Sequence, residues 1–240
     1  MLYLILVETA LEIAPSKYRG HPSVLNNVKK YGNPGRLLDI ALHHSFMKNL
    51  KDNIKRGRPD ILHQYMLSAL TSILNKKGQL RIFFQTYAGE IYEINPILRP
   101  PKDFMRYKGL MYKLLTVKEI TTEKSTSHRK NFSADEPLDD STLIRNIRLP
   151  LQGLIKQINP DKVIRFTSKA ELVERNKIFS DVKDNPDHNI LGIIGGFQSG
   201  GYSQEVMDIE ADDISIYPEG LETNTVINHI IINFERAIGI

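Results

Sequence analysis

The sequence predicts an α/β protein with a parallel sheet and helices on both faces, and three observations point there. Beyond residue 143, short apolar strand-like runs alternate with segments of helical period, the pattern that βαβ units leave in a sequence. Leu2 to Val7 is an unbroken apolar run, suited to a buried strand. The chain has 240 residues, 41% hydrophobic and 25% charged, and at this length folding hides roughly 70 to 75% of the extended chain's surface. One large domain, spanning 1–240, or two small ones are therefore expected.

Taken in order, Leu2 to Val7 is the first strand, and Arg36 to Lys55 is mainly helical. Asp60 to Leu74 has apolar residues at helical spacing, and Pro59 with Asp60 marks its start. Leu80 to Thr86 and Glu90 to Ile94 flank Tyr87-Ala88-Gly89, a connection short enough for a β-hairpin. Lys102 to Val117 is helical, with a basic face of Lys102, Arg106, Lys108 and Lys113. Glu119 to Thr142 is rich in Ser, Thr, Lys and Asp. With so few aliphatic residues it cannot bury enough surface to fold alone, so a mobile insert is expected over 119–142. A helix over Leu143 to Ile158, strands at Lys162 to Thr167, Asn189 to Ile194 and Ile214 to Tyr217, and a helix from Glu222 to Arg236 complete the pattern.

Composition removes several chemistries. No cysteine is present, which excludes disulfides, thiolate catalysis, iron–sulfur clusters and cysteine zinc sites. His43, His44 and His63 form no HExxH pattern, so packing or hydrogen bonding is expected of them, and no metal. No run reaches the roughly 18 apolar residues of a membrane helix. Met1 to Val7 lacks a basic flank and stops at Glu8, so it reads as a strand and not as a leader. The cytoplasm is the expected location. The net charge of +4 conceals an uneven distribution: residues 1–183 carry +13 and residues 184–240 carry −9. A polyanion-binding face on the first three quarters of the chain explains this, as does simple mixing of charges on the folded surface.

Three segments could carry chemistry. Gly195-Gly196-Phe197-Gln198-Ser199-Gly200-Gly201 follows an apolar strand, and glycines at the carboxyl end of a parallel strand let backbone amides approach a ligand. It is neither a dinucleotide fingerprint nor a P-loop, and a purely structural turn is the competing reading. Lys55-Arg56-Gly57-Arg58-Pro59-Asp60-Ile61 places arginine forks suited to phosphate beside a carboxylate that can orient one of them. Otherwise Asp60 is a plain helix cap. Asn95 to Tyr107 runs Arg99, Lys102 and Arg106 from a proline-rich stretch onto a helix with Phe104 and Tyr107 between them. Cations for phosphates and rings for unpaired bases are what single-stranded RNA recognition needs, although either ring could instead point into the core.

Arg-Gly-Arg-Pro-Asp-Ile-Leu-His at 56–63, Ile-Asn-Pro-Ile-Leu-Arg-Pro-Pro-Lys at 94–102, Gly-Leu-Met at 109–111, Ile-Gly-Gly-Phe at 194–197 and Ile-Ser-Ile-Tyr at 214–217 together resemble one family. It is that of the ribosome-biogenesis pseudouridine methyltransferases of archaea and eukaryotes, SPOUT enzymes with a carboxyl-terminal trefoil knot and a family-specific β-hairpin and helix elaboration. The resemblance implies methyl transfer from S-adenosylmethionine to ring nitrogen 1 of a pseudouridine in a small-subunit ribosomal RNA hairpin loop, by a homodimer. It makes Arg58 and Asp60 the catalytic pair, Arg58 contacting RNA and Asp60 holding Arg58 in place. It adds Arg99, Lys102 and Arg106 as RNA-binding residues, Lys102 standing where arginine is expected. Thr167, Gly195, Gly200, Gly201 and the stretch Ile216, Tyr217, Pro218, Glu219, Gly220 and Leu221 would bind the cofactor, with Thr223 replacing a usual alanine. The apolar face of the last helix, with Val226, Ile227, Ile230, Ile231 and Phe234, is the expected dimer surface unless it is core. A non-catalytic RNA-binding assembly factor and a SPOUT enzyme acting on transfer RNA remain as alternatives.

Overall fold

The computed structural model describes residues 1–122, 138–185 and 187–240. The central strand is β1 (Leu2–Thr9), which runs parallel to β2 (Leu80–Thr86) on one side and to β7 (Ile190–Gly195) on the other. β7 is followed outward by β6 (Lys162–Phe166) and β8 (Asp212–Ile214), both parallel to their neighbours. On the other flank β3 (Ile91–Ile94), β5 (Thr142–Asn146) and β4 (Glu119–Thr121) add antiparallel strands. The order is β4-β5-β3-β2-β1-β7-β6-β8. An apolar strand buried on both faces is stable only where other strands flank it and helices cover it, and β1 has that position.

The alternation of β1 sorts the helices. Leu2, Leu4 and Leu6 face α3 (Pro59–Thr71), α5 (Phe104–Val117) and α9 (Thr223–Ala237), where Tyr65, Met66, Tyr107, Ile227, Ile230 and Phe234 complete the larger core. Tyr3, Ile5 and Val7 face α6 (Leu151–Ile158) and α8 (Gln204–Met207) through Leu154, Ile158 and Val206. α4 (Ile73–Lys76) and α7 (Ser180–Asp184) lie against the first of these layers near α9. A third, smaller core joins α1 (Pro22–Tyr31) and α2 (Ile40–Met47) through Val24, Phe46 and Met47.

Several expectations are corrected. Leu143 to Ile158 is not one helix: β5 occupies its start, because backbone pairing with β3 and β4 takes those residues, and α6 begins only after Pro150. The last strand pairs through Asp212–Ile214, and beyond it only Ser215 bridges to Leu172. Helix 60–74 breaks at Ser72, whose hydroxyl accepts from the Asn75 amide at 3.1 Å and caps α4. In the polar stretch 119–142, Glu119–Thr121 and Thr142 belong to the sheet, and residues 123–137 lie outside the described residues. Lys108 leaves the expected basic face: it is fully buried, with Nζ 2.8 Å from Asp39 Oδ2. Ile227, Ile230, Ile231 and Phe234 are buried within this chain, so the last helix's apolar face is core. Among the described residues no helix is long and apolar enough to cross a membrane.

Candidate active site

β6, β7 and β8 end at one edge of the sheet, and the loops after them wall a cleft of about 350 Å³. Thr167, Gly195, Gly200, Gly201, Ile216, Tyr217, Glu219, Gly220 and Leu221, which the family resemblance names for the cofactor, line it. Pro218 does not; it lines a neighbouring hollow with Leu172, Arg175 and His229. Lys169, Phe197, Tyr202 and Thr223 also face the cleft. Tyr202 carries no motif signal, yet its hydroxyl donates to the Phe166 carbonyl at 2.6 Å, and burial pushes its pKa up. Thr223 Oγ1 donates to the Gly195 carbonyl at 3.2 Å, so the residue that departs from the family pattern ties the start of α9 to the end of β7.

The chain leaving β7 passes tightly over the end of β1. A Cβ on Gly196 would lie 2.8 Å from Thr9 Cα and 2.9 Å from Leu6 Cγ. The Gly196 amide donates to Val7 O at 2.8 Å, and its carbonyl accepts from the Ala10 amide at 2.9 Å. Residues 8–12 thereby brace the glycine-rich loop.

The same five residues brace the arginine motif. Lys55 Nζ lies 2.6 Å from Glu8 Oε2, Arg56 makes two bonds to the Glu12 carboxylate, and the Arg58 amide donates to Ala10 O at 3.2 Å. Gly57 has φ +67°, and a side chain there would strike Met47; only glycine takes this turn without strain. Arg58 then grips Asp60: Nε donates to Oδ1 at 2.9 Å and Nη2 to Oδ2 at 2.7 Å. This hydrogen-bonded carboxylate raises the Arg58 pKa and keeps the guanidinium charged. Nη1 makes no hydrogen bond among the described residues, so its donors remain unused.

The two basic motifs meet through a histidine. His63 Nε2 is 2.6 Å from the Pro101 carbonyl, 38 residues away, and its ring stacks on Tyr107 with centroids 4.2 Å apart. Packing and hydrogen bonding, as expected, are its role. Arg99, Lys102 and Arg106 are exposed and make no ion pair among the described residues. Tyr107 is fully buried and Phe104 half-buried against the core, so Tyr107 is no platform for a base.

A glycine-lined cleft at the carboxyl edge of parallel strands, tied through residues 8–12 to an oriented arginine, defines an α/β protein with a site shaped for a cofactor and a guanidinium suited to an anion. The model of the EMG1/NEP1 methyltransferase family matches residues 4–235. Two similar sequences are named ribosomal RNA small subunit methyltransferase Nep1. That of Staphylothermus marinus is 36% identical over 99% of this chain and 96% of its own, and that of Thermococcus kodakarensis is 35% identical over the whole of both. The crystal structure of Archaeoglobus fulgidus Nep1 bound to S-adenosylhomocysteine superposes with a TM-score of 0.81 at 29% identity, covering 99% of each chain. The chain belongs to the EMG1/NEP1 methyltransferase family.

Proposed function

We propose that this chain transfers a methyl group from S-adenosylmethionine to ring nitrogen 1 of a pseudouridine in small-subunit ribosomal RNA, as a cytoplasmic homodimer acting in subunit biogenesis. The observation that carries the reading is the Arg58–Asp60 pair, anchored on the same residues 8–12 that brace the glycine-rich cleft. The relatives' printed names and the S-adenosylhomocysteine held by the Archaeoglobus fulgidus protein point the same way.

The residues of the cleft fit such a cofactor. Ile194, Ile214, Ile216, Leu221 and Val226 offer an apolar wall to an adenine ring, and a Cβ built on Gly220 meets nothing within 4 Å, so backbone there is open to approach. Glu219 supplies a carboxylate for the cofactor's cationic groups, and Lys169 an ammonium for its carboxylate. When bound, the cofactor supplies an electrophilic methyl on a sulfonium. The protein's part is positioning, since an in-line displacement gains most from held reactants. Arg58 Nη1 would grip the RNA, and Asp60 would fix the fork. Both Asp60 oxygens already accept from the guanidinium, which favours an orienting role for that carboxylate over removal of the ring nitrogen's proton. Arg99, Lys102 and Arg106 would hold phosphates along the proline segment and α5.

Exposed Leu172, Tyr217 and Ile232, beside Pro218, support the dimer. Tyr217 lines both that hollow and the cleft, so a partner seated there would border the cofactor. The knot is part of the same proposal. Its support is that the chain after β8 is pinned on both sides, with the Ser215 amide donating to Glu171 O at 2.9 Å and Thr223 reaching Gly195.

The test is to incubate the protein with S-adenosylmethionine and small-subunit RNA and map the methylated position by mass spectrometry. Arg58→Ala should lower both RNA affinity and single-turnover methylation while cofactor affinity holds. Asp60→Ala should match it; a general base would instead show a rate defect with near-normal RNA affinity. Absence of methyl incorporation by the parent protein overturns the reading.

A further inference from the structure

Glu8 is an outlier at the carboxyl end of β1. Its φ of +51° is in the left-handed region, which side-chain-bearing residues rarely adopt unless something holds them there. Two bonds account for the hold, and they point to different sites. Oε1 accepts from the Ser203 amide at 2.7 Å, at the far end of the glycine-rich loop. Oε2 accepts from Lys55 Nζ at 2.6 Å, in the arginine motif. Lys55 in turn lies 4.5 Å from the centre of the Phe197 ring, which faces the cleft. A Cβ on Gly200 would come within 3.3 Å of Lys55 Cε and 3.6 Å of Ile54 Cδ1. Side chains from three distant parts of the chain thus close a ring, Glu8 to Lys55 to Phe197 and back through Ser203, between the cofactor cleft and the Arg58 loop.

We infer that Glu8 is a positioning residue that makes cofactor binding and RNA binding cooperative. Resting on the proposed function, this inference adds the means by which the two sites sense each other. A ligand that orders the loop from Gly195 to Ser203 fixes the Ser203 amide and the Phe197 ring, and through Glu8 and Lys55 it also fixes the backbone that aims Arg58. The second ligand then finds its loop already ordered and loses less conformational entropy on binding. Linkage makes the effect reciprocal, so RNA must tighten cofactor binding by the factor by which cofactor tightens RNA binding. The left-handed backbone is maintained because Glu8 must reach both loops from one position.

The experiment measures the affinity of S-adenosylhomocysteine by calorimetry, with and without a saturating small-subunit RNA hairpin that the parent protein methylates. The parent should bind the nucleoside about five- to tenfold tighter with RNA present, a typical size for coupled sites. Glu8→Gln, which keeps shape but weakens the Lys55 bond, and Lys55→Met should bring that ratio below about twofold. Glu8→Gly relieves the backbone conformation and removes both bonds. It should keep thermal stability near the parent's and still lose the coupling, an outcome that a merely structural Glu8 would not produce. The inference is overturned if the parent ratio is near one, or if Glu8→Gln and Glu8→Gly both retain the parent ratio. A parent that methylates RNA without coupling sinks this inference alone, whereas a parent that binds no cofactor sinks the proposed function and this inference with it.

Discussion

Gly196 shows how little space the site leaves for variation at the level of one residue. The atoms its Cβ would meet include the backbone of Thr9, which cannot turn aside as a flexible side chain can. Gly196→Ala is therefore expected to cost about 1–3 kcal/mol, the usual range for overpacking, and to weaken cofactor binding; denaturant melts and calorimetry check both. At Gly195 the obstacle is softer, since the Cβ would press on the Phe197 ring at 3.0 Å. Gly195→Val should displace that ring and reduce cofactor affinity in a protein that still folds, and unchanged affinity would remove Gly195 from the site. Lys108 poses the opposite problem, a charge with no access to water and one partner, Asp39. Truncating one member of a buried pair leaves the other uncompensated, so Lys108→Ala should destabilise by about 3–5 kcal/mol, and Lys108→Ala combined with Asp39→Ala by less than the two single losses added.

Lys102, Arg106 and Lys108 cluster around the start of α5, yet an acid begins it. Asp103 Oδ1 accepts from the Arg106 amide at 2.8 Å, the capping bond that fixes where a helix begins. Asp103→Ala removes a negative charge from a basic surface, which electrostatics alone would expect to strengthen RNA binding. Loss of the cap should instead cost about 1 kcal/mol of stability and loosen the helix start that holds Lys102 and Arg106, so melting and RNA affinity should fall together. The helix itself was legible in the sequence, though with its start at Lys102 and without the Asp103 cap, as were β1, the β2–β3 hairpin and α9, because each rests on local chemistry or on one unbroken periodicity. α1 was not, since its apolar stripe is hardly more than Val24 and Val28, with Leu25 exposed. β5 was misread because Leu143, Ile144, Ile147, Leu151 and Leu154 fit a helical period, whereas pairing of Ile144 with Ile94 and Ile120 decides the outcome. Of the residues proposed for the cofactor, the glycine-rich loop could be read from its place after an apolar strand, and Thr167 and the stretch 216–221 only from the family resemblance. Glu8, Lys169 and Tyr202 could not, because their roles exist only once distant loops are brought together.

For the molecule as a whole, charge and pH give the broadest tests. If the net +13 of residues 1–183 serves RNA, neutralising Arg99 or Arg106 should flatten the salt dependence of hairpin binding by a log–log slope of roughly 0.7 per contact. Full affinity in the Arg58, Arg99 and Arg106 single variants would argue against that surface. Sedimentation at micromolar concentration should show twice the 27.4 kDa of one chain. Acid should weaken the fold through His43, whose pKa lies below its ordinary 6.5 mainly through burial and then through the charge of Lys108. Above 6.5 both states leave this ring neutral. As pH drops from there toward the folded value, only the unfolded chain takes up the proton, so stability falls. Melting temperatures at pH 7.5 and 5.5 should differ, and His43→Gln should narrow the difference.

The central place of β1 sets a condition on how the chain can be made. Its partners lie at residues 80–86 and 190–195, so during translation β1 leaves the ribosome long before it can be enclosed. Until residue 195 has emerged, this apolar strand keeps at least one open edge, the kind of segment that pairs with a wrong neighbour when left unshielded. A protein whose proposed substrate is ribosomal RNA is thus expected to need shielding for β1 while it is still on the ribosome.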